Sequence, residues 1–154
     1  MQRSLYVASG MRVIVPHAGD IAITGTAVTG PRRPDEVWER FERYQRWPSW
    51  SPQIREVVLD AEALEAGVTG RLLGWAGTSA DFVVDTWDPE ARSWSWTLEP
   101  RLSMPPVDLP SLRLGHGVRP AGAGSRAWLT LRGPGPMVFG AFLSGRLALY
   151  RLVH

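Results

Sequence analysis

With 154 residues, 44% of them apolar and 21% charged, the chain has the length of one domain with a core and room for an internal cavity, and its composition excludes overall disorder. It has no cysteine, and His17, His116 and His154 are isolated in the sequence, so disulfides, thiol chemistry, a metal centre and any bound cofactor are not expected. All 17 basic residues are arginine against 15 acidic ones; with no lysine or cysteine titrating above neutrality, a net charge of +2 suffices for a pI near 9.7, and no basic stripe suggests nucleic acid as a partner.

The first 18 residues lack the apolar run of a secretory leader and read as an extension, either disordered in part or adding a short strand around 12–15. Residues 19–154 read as a single domain. "DIAITGTAVTG" (20–30) is rich in β-branched residues and predicts a strand. "PRRPDEVWERFERYQRWP" (31–48) predicts a helix starting at Pro34, with Asp35 and Glu36 in its first turn and Val37, Trp38 and Phe41 on one face. Pro48 and Pro52 end it and allow a second short helical turn.

Strands are then expected over 54–60, 67–77, 79–87 and 92–99. "PRLSMPPVDLP" (100–110), with four prolines, reads as a loop and candidate lid. Residues 111–120 and 125–133 predict a hairpin across the turn "AGAG". "GPGP" then launches a helix over 137–153, which Arg146 and Arg151 keep from reading as a membrane span. A cytoplasmic protein is the expectation. This order predicts an α+β fold in which an antiparallel sheet is covered by the last helix.

Four stretches in this order, "PDEVWERF" (34–41), "RWPSWSP" (46–52), "TWDPEARSWSW" (86–96) and "HGVRPAGAGSRAWLTLRG" (116–133), resemble the START-related helix-grip superfamily, and within it the polyketide cyclase/dehydrase-like (SRPBCC) branch. The resemblance implies a curved seven-stranded antiparallel sheet wrapped around a long C-terminal helix, two short helices after the first strand, and an apolar cavity between sheet and helix. Aromatase/cyclases of this group carry a tyrosine after the tryptophan–proline loop and an arginine on a middle strand. Ile54 and Thr78 or Ser79 stand at those places here.

Candidate site residues follow from strand and helix periodicity. Leu112, Leu114, His116 and Val118 share one strand face, which aims His116 at the apolar side as a general acid/base or as a hydrogen-bonded core histidine. Asp81 and Asp85 lie opposite the more apolar Phe82 and Val84, so Phe82 is expected inward. Arg146 has Phe139, Phe142, Leu143, Leu149, Tyr150 and Val153 as helical neighbours, with Gly140, Ser144, Ala148 and Arg151 on the other side. That pattern places the guanidinium midway across the buried arc, where it needs a partner: Asp85, water at the cavity mouth, or a ligand oxygen.

His116 and Arg146 are thus the candidate catalytic residues. Trp50, Trp75, Phe82, Leu114, Phe142 and Tyr150 are the candidate ligand contacts. The function expected is binding of an apolar small molecule, by a cyclase/dehydratase-like enzyme of secondary metabolism or by a non-catalytic carrier of a lipid-like or polyketide-like ligand. The sequence leaves open whether any reaction is catalysed and whether the protein forms a homodimer.

Overall fold

Strand-forming residues that alternate between apolar and polar, separated by short turns, can close only into an antiparallel sheet with one dry face. The computed structural model describes residues 21–154 and, ahead of them, the backbone of two short strands, β1 (Ser4–Val7) and β2 (Met11–Ile14), paired antiparallel as a ribbon. The rest of the N-terminal extension, including His17, lies outside the described residues.

The main sheet comprises β3 (Ile21–Gly30), β4 (Glu56–Leu59), β5 (Thr69–Leu73), β6 (Thr78–Asp88), β7 (Ser93–Ser103), β8 (Pro106–Asp108), β9 (Leu112–Ala121) and β10 (Gly124–Pro134). Its antiparallel path runs β3-β10-β9-β7-β6-β5-β4, seven strands, and β8 adds an eighth by pairing with β7. Helices α1 (Pro34–Glu42) and α2 (Trp47–Trp50) follow β3, and α3 (Gly135–Val153) ends the chain. Among the described residues no helix is long and apolar enough to cross a membrane.

Helix α1 starts where its sequence signals place it. Pro34 occupies the first turn, and the Glu36 carboxylate accepts the Arg33 backbone N–H at 2.9 Å. The helix buries Val37, Trp38 and Phe41. The single turn of α2 turns both its tryptophans inward, and the Trp47 indole N–H donates to the Phe41 carbonyl at 2.9 Å. The proline-flanked segment is therefore a plug of aromatic surface at one end of the sheet.

The inner face is built by alternation: Ala80, Phe82 and Val84 on β6, Trp94 and Trp96 on β7, Leu112, Leu114, His116 and Val118 on β9, and Ala127, Leu129 and Leu131 on β10. Phe82 and Val84 thus face inward, while Asp81 pairs with Arg71 and Arg101, and exposed Asp85 accepts from Thr97 at 2.7 Å. Strict alternation fails once. A bulge at Asp85 shifts the register from Val84↔Trp96 to Thr86↔Ser95. Trp87, which period two assigns to the aspartate face, instead packs on Trp38 and Trp94.

Two expectations are corrected. Residues 100–110 are no free loop: β7 continues through Pro100 to Ser103, pairs with β6 along its whole length, and folds back as β8. Prolines 105 and 106 sit at the turn and on the short outer strand, where a missing N–H costs no sheet bond, and Pro100 still accepts from Leu109 N–H at 2.9 Å. The second correction concerns the orientation of α3. Its buried residues are Val138, Ala148, Leu149, Leu152 and Val153, while Phe139, Leu143, Leu147 and Tyr150 are exposed.

The reason is steric. A Cβ at Gly145 would lie 2.3 Å from Cδ2 of Leu129, so at this point α3 comes closer to the sheet than a larger residue would allow. Its C-terminus is tied down by the Arg32 N–H, which donates to the Val153 carbonyl at 3.1 Å.

Candidate ligand cavity

Where the small side of α3 meets the sheet, packing leaves a cavity of about 170 Å³. Trp50, Ser51 and Ile54 close it from α2 and the segment that follows. Leu72, Trp94, Trp96, Leu98, Leu112, Leu114, His116 and Leu129 form the sheet wall, and Ala141, Ser144, Gly145, Ala148 and Leu149 the helix wall. Exposed Gln53 and half-buried Leu98, Ala141 and Ser144 place its open side between the segment after α2 and the N-terminal half of α3. No lining side chain carries a formal charge when His116 is neutral.

His116 is neutral for a structural reason. The residue is 9% exposed, and its ring stacks on Trp94, its direct partner across β7 and β9, with centroids 4.7 Å apart. Burial with no counter-charge pushes its pKa from 6.5 down to about 3. The Trp96 indole N–H donates to Nε2 at 3.1 Å. In a neutral imidazole whose Nε2 accepts, the proton resides on Nδ1. Among the described residues that Nδ1–H has no acceptor, and neither do the indole N–H groups of Trp50 and Trp94. A buried donor left without a partner costs about 1–3 kcal/mol.

The rings form a continuous block. Trp94 lies between Trp47 (5.4 Å, stacked) and His116, Trp96 packs edge-on to Trp47 at 5.3 Å, and Phe41 touches Trp50, Trp94 and His116. Such a block holds the cavity wall in one shape, because no ring can turn without displacing its neighbours.

Of the residues singled out from sequence, Trp50, Leu114 and His116 meet at the cavity. Phe82 is buried against Trp96 at 5.2 Å but is not part of the cavity wall, and Phe142 is half-buried against the core outside it. Trp75 is 59% exposed in the turn after β5, donating to the Pro52 carbonyl at 3.0 Å with the Arg55 guanidinium 6.0 Å over its ring. Tyr150 is exposed and stacks on His154 at 4.1 Å. Arg146 is exposed as well, and its Nη1 donates to Thr26 Oγ1 at 2.7 Å. The buried-guanidinium expectation and its Asp85 partner are both overturned, because α3 is turned part-way: Leu149 and Val153 stay buried, joined by Ala148 and Leu152, while Arg146, Phe139, Leu143 and Tyr150 face outward.

Periodicity missed several wall residues. Trp94 and Trp96 are both core and wall; Ile54, at the place of the cyclases' tyrosine, contributes only apolar surface. Ala141, Ser144, Gly145 and Ala148 recur at i, i+3, i+4 and i+7, a stripe of small residues of which Ser144 and Ala148 were expected on the solvent side.

Residues 22–149 match the family model described as polyketide cyclase/dehydrase and lipid transport. The chain belongs to this family. No curated protein sequence matches it. Among solved structures it is similar to Ara h 8.0201, with a TM-score of 0.68 and 11% identity over 87% of this chain and 95% of that one. It is also similar to DynU16, a protein of the dynemicin biosynthetic locus, with a TM-score of 0.66 and 18% identity over 85% of this chain. Only 45% of the DynU16 chain is covered. At these identities the two structures establish the helix-grip fold, and membership of the polyketide cyclase/dehydrase and lipid transport family is carried by the sequence match.

Proposed function

We propose that this member of the polyketide cyclase/dehydrase and lipid transport family binds a small, uncharged, apolar molecule in the cavity between α3 and the sheet. The observation that carries the reading is the lining: mostly aliphatic and aromatic side chains, with Ser51, Gln53 and Ser144 uncharged and one imidazole held neutral among them. Volume narrows the ligand. A dry cavity of about 150 Å³ takes a benzene-sized guest, so about 170 Å³ suits one ring or two fused rings in the conformation described. A lipid chain or a long polyketide needs the α3 side to open further.

Binding is the first reading and catalysis the second. With its pKa near 3, His116 supplies no imidazolium at neutral pH, and Arg146 lies outside the cavity, so neither candidate acts as a charged acid there. One observation favours a cyclase- or dehydratase-like activity: a neutral imidazole lines the cavity among rigid aromatic walls that would orient a substrate. The test of binding is ¹⁹F NMR of 2-fluoronaphthalene with the wild-type protein and with Leu114→Trp, which fills the wall. Saturable line broadening in the wild type that vanishes in a folded Leu114→Trp supports the cavity as the site; equal broadening in both overturns it.

A further inference from the structure

A helix that covers a sheet keeps its apolar residues on the sheet side and polar ones outside. The outward face of α3 departs from this. Phe139, Leu143, Leu147 and Tyr150 recur at i, i+4, i+8 and i+11, opposite the buried Ala148 and Leu152, and each is 45–65% exposed. The helix has no acidic residue, and its two arginines flank the stripe. Arg146 does not shield it, since its guanidinium is held on Thr26 of β3. Gly140 borders the stripe and is exposed, and a Cβ built there meets nothing within 4 Å outside the local helix backbone. Glycine inside a helix costs about 0.5–1 kcal/mol relative to alanine, and no contact among the described residues requires one at this position. Gly140 is thus a notch near one end of the stripe, and Tyr150 a knob at the other.

We propose that this face is the interface of a two-fold homodimer in which the α3 helices of two copies pack antiparallel. In that arrangement Leu143 meets the partner's Leu147, Phe139 meets the partner's Tyr150, and the Tyr150 ring of each copy enters the other's Gly140 notch; symmetry makes every contact twice. The area is sufficient. With about 150–250 Å² on a large aromatic side chain and somewhat less on a leucine, these exposures leave on the order of 400 Å² of apolar surface per copy. Two copies contribute about 800 Å², and Pro136, Gly140 and the arginine stems bring the total to the roughly 1,000 Å² that a specific interface needs. A bilayer fits less well, because lipid has no use for a notch and its phosphates would draw Arg146 outward from Thr26. The inner side of α3 stays on the cavity, so association and ligand binding use opposite sides of one helix.

Sedimentation velocity of the full chain over a concentration series should show a species of twice the 17.1 kDa chain mass. Gly140→Leu is the deciding variant. Its side chain enters open space in the single chain, and leucine is the better helix former, so the circular dichroism of the fold should be unchanged. By filling the notch it should raise the dimer dissociation constant at least tenfold. A wild type that is monomeric at every concentration overturns the proposal, as does a Gly140→Leu variant that associates as tightly as wild type. Monomeric wild type that co-sediments with phosphatidylglycerol vesicles, and does so more strongly as Gly140→Leu, assigns the stripe to a bilayer and overturns it too. Orientation is read by cross-linking, since the chain has no cysteine. Positions 139 and 150 are about 16 Å apart along the helix, so oxidation of mixed Phe139→Cys and Tyr150→Cys proteins should join one to the other. Cross-links within either variant alone show a parallel pair and reject the arrangement.

Discussion

Trp96 donates its indole N–H to Nε2 of His116 across 3.1 Å, although the two are not direct partners in the sheet. Trp94 faces His116 across β7 and β9, and Trp96 faces Leu114, so the bond runs along the diagonal, a reach open to an aromatic side chain. One tryptophan thus stacks on the imidazole and the other fixes its tautomer.

Trp96→Phe keeps the ring and removes the donor. The buried Nε2 then lacks a partner, and a loss of about 1–3 kcal/mol in unfolding free energy is expected in urea titrations. The ¹⁵N signals of His116 should also change from the single tautomer with Nδ1–H to a mixture. Unchanged stability together with an unchanged tautomer would show that the bond contributes nothing.

The depressed pKa of His116 sets a pH dependence. In the unfolded chain the imidazole takes its proton near pH 6.5, while in the folded protein it resists until about 3. Between those values the unfolded state binds more protons, so stability is full above pH 6.5 and falls as pH drops, by up to roughly 1.4 kcal/mol per pH unit. The check is chemical denaturation of wild type and His116→Phe at pH 4.5 and 7. The difference between the two proteins should move toward the variant at the lower pH; a constant difference would mean that His116 is not buried in its neutral form.

Arg146→Met should leave unfolding free energy within about 0.5 kcal/mol and leave ligand affinity unchanged. The guanidinium is exposed, and its bond to Thr26 Oγ1 is a surface contact. A large loss of affinity in the folded variant would return Arg146 to the site.

Leu114→Trp places extra volume in the cavity, where there is room for it, and should cost less than the roughly 1–3 kcal/mol of overpacking a filled core. Thermal unfolding of the variant measures this, and a collapse in Tm would mean that the wall cannot accommodate the ring.

The amides of Ser103 and Leu109 should be protected from hydrogen exchange, since they donate to the carbonyls of Gly77 and Pro100 at 3.0 and 2.9 Å. Exchange at the rate of free loop amides would contradict the β7–β8 extension.

Much of the architecture was legible in the chain because it depends on local signals. Pro34 with Asp35 and Glu36 starts α1, the glycine-rich turn at 121–124 joins β9 to β10, and period-two alternation aims Leu114 and His116 inward. Where tertiary contacts compete with the local pattern, the pattern misleads. Prolines in 100–110 weigh against a strand, yet β6 offers β7 a partner along its length. Trp87 follows the aspartates by alternation, yet one extra residue in β6 turns it into the core. On α3 every side carries apolar residues, so hydrophobicity alone cannot choose a face. The choice falls to distance: only the side bearing Ala141, Gly145 and Ala148 lets the helix come within contact of Leu129, and that approach moves Arg146 outside and shapes the cavity. The residues of the site were thus partly visible in the sequence, but which of them meet was decided by how closely helix and sheet can pack.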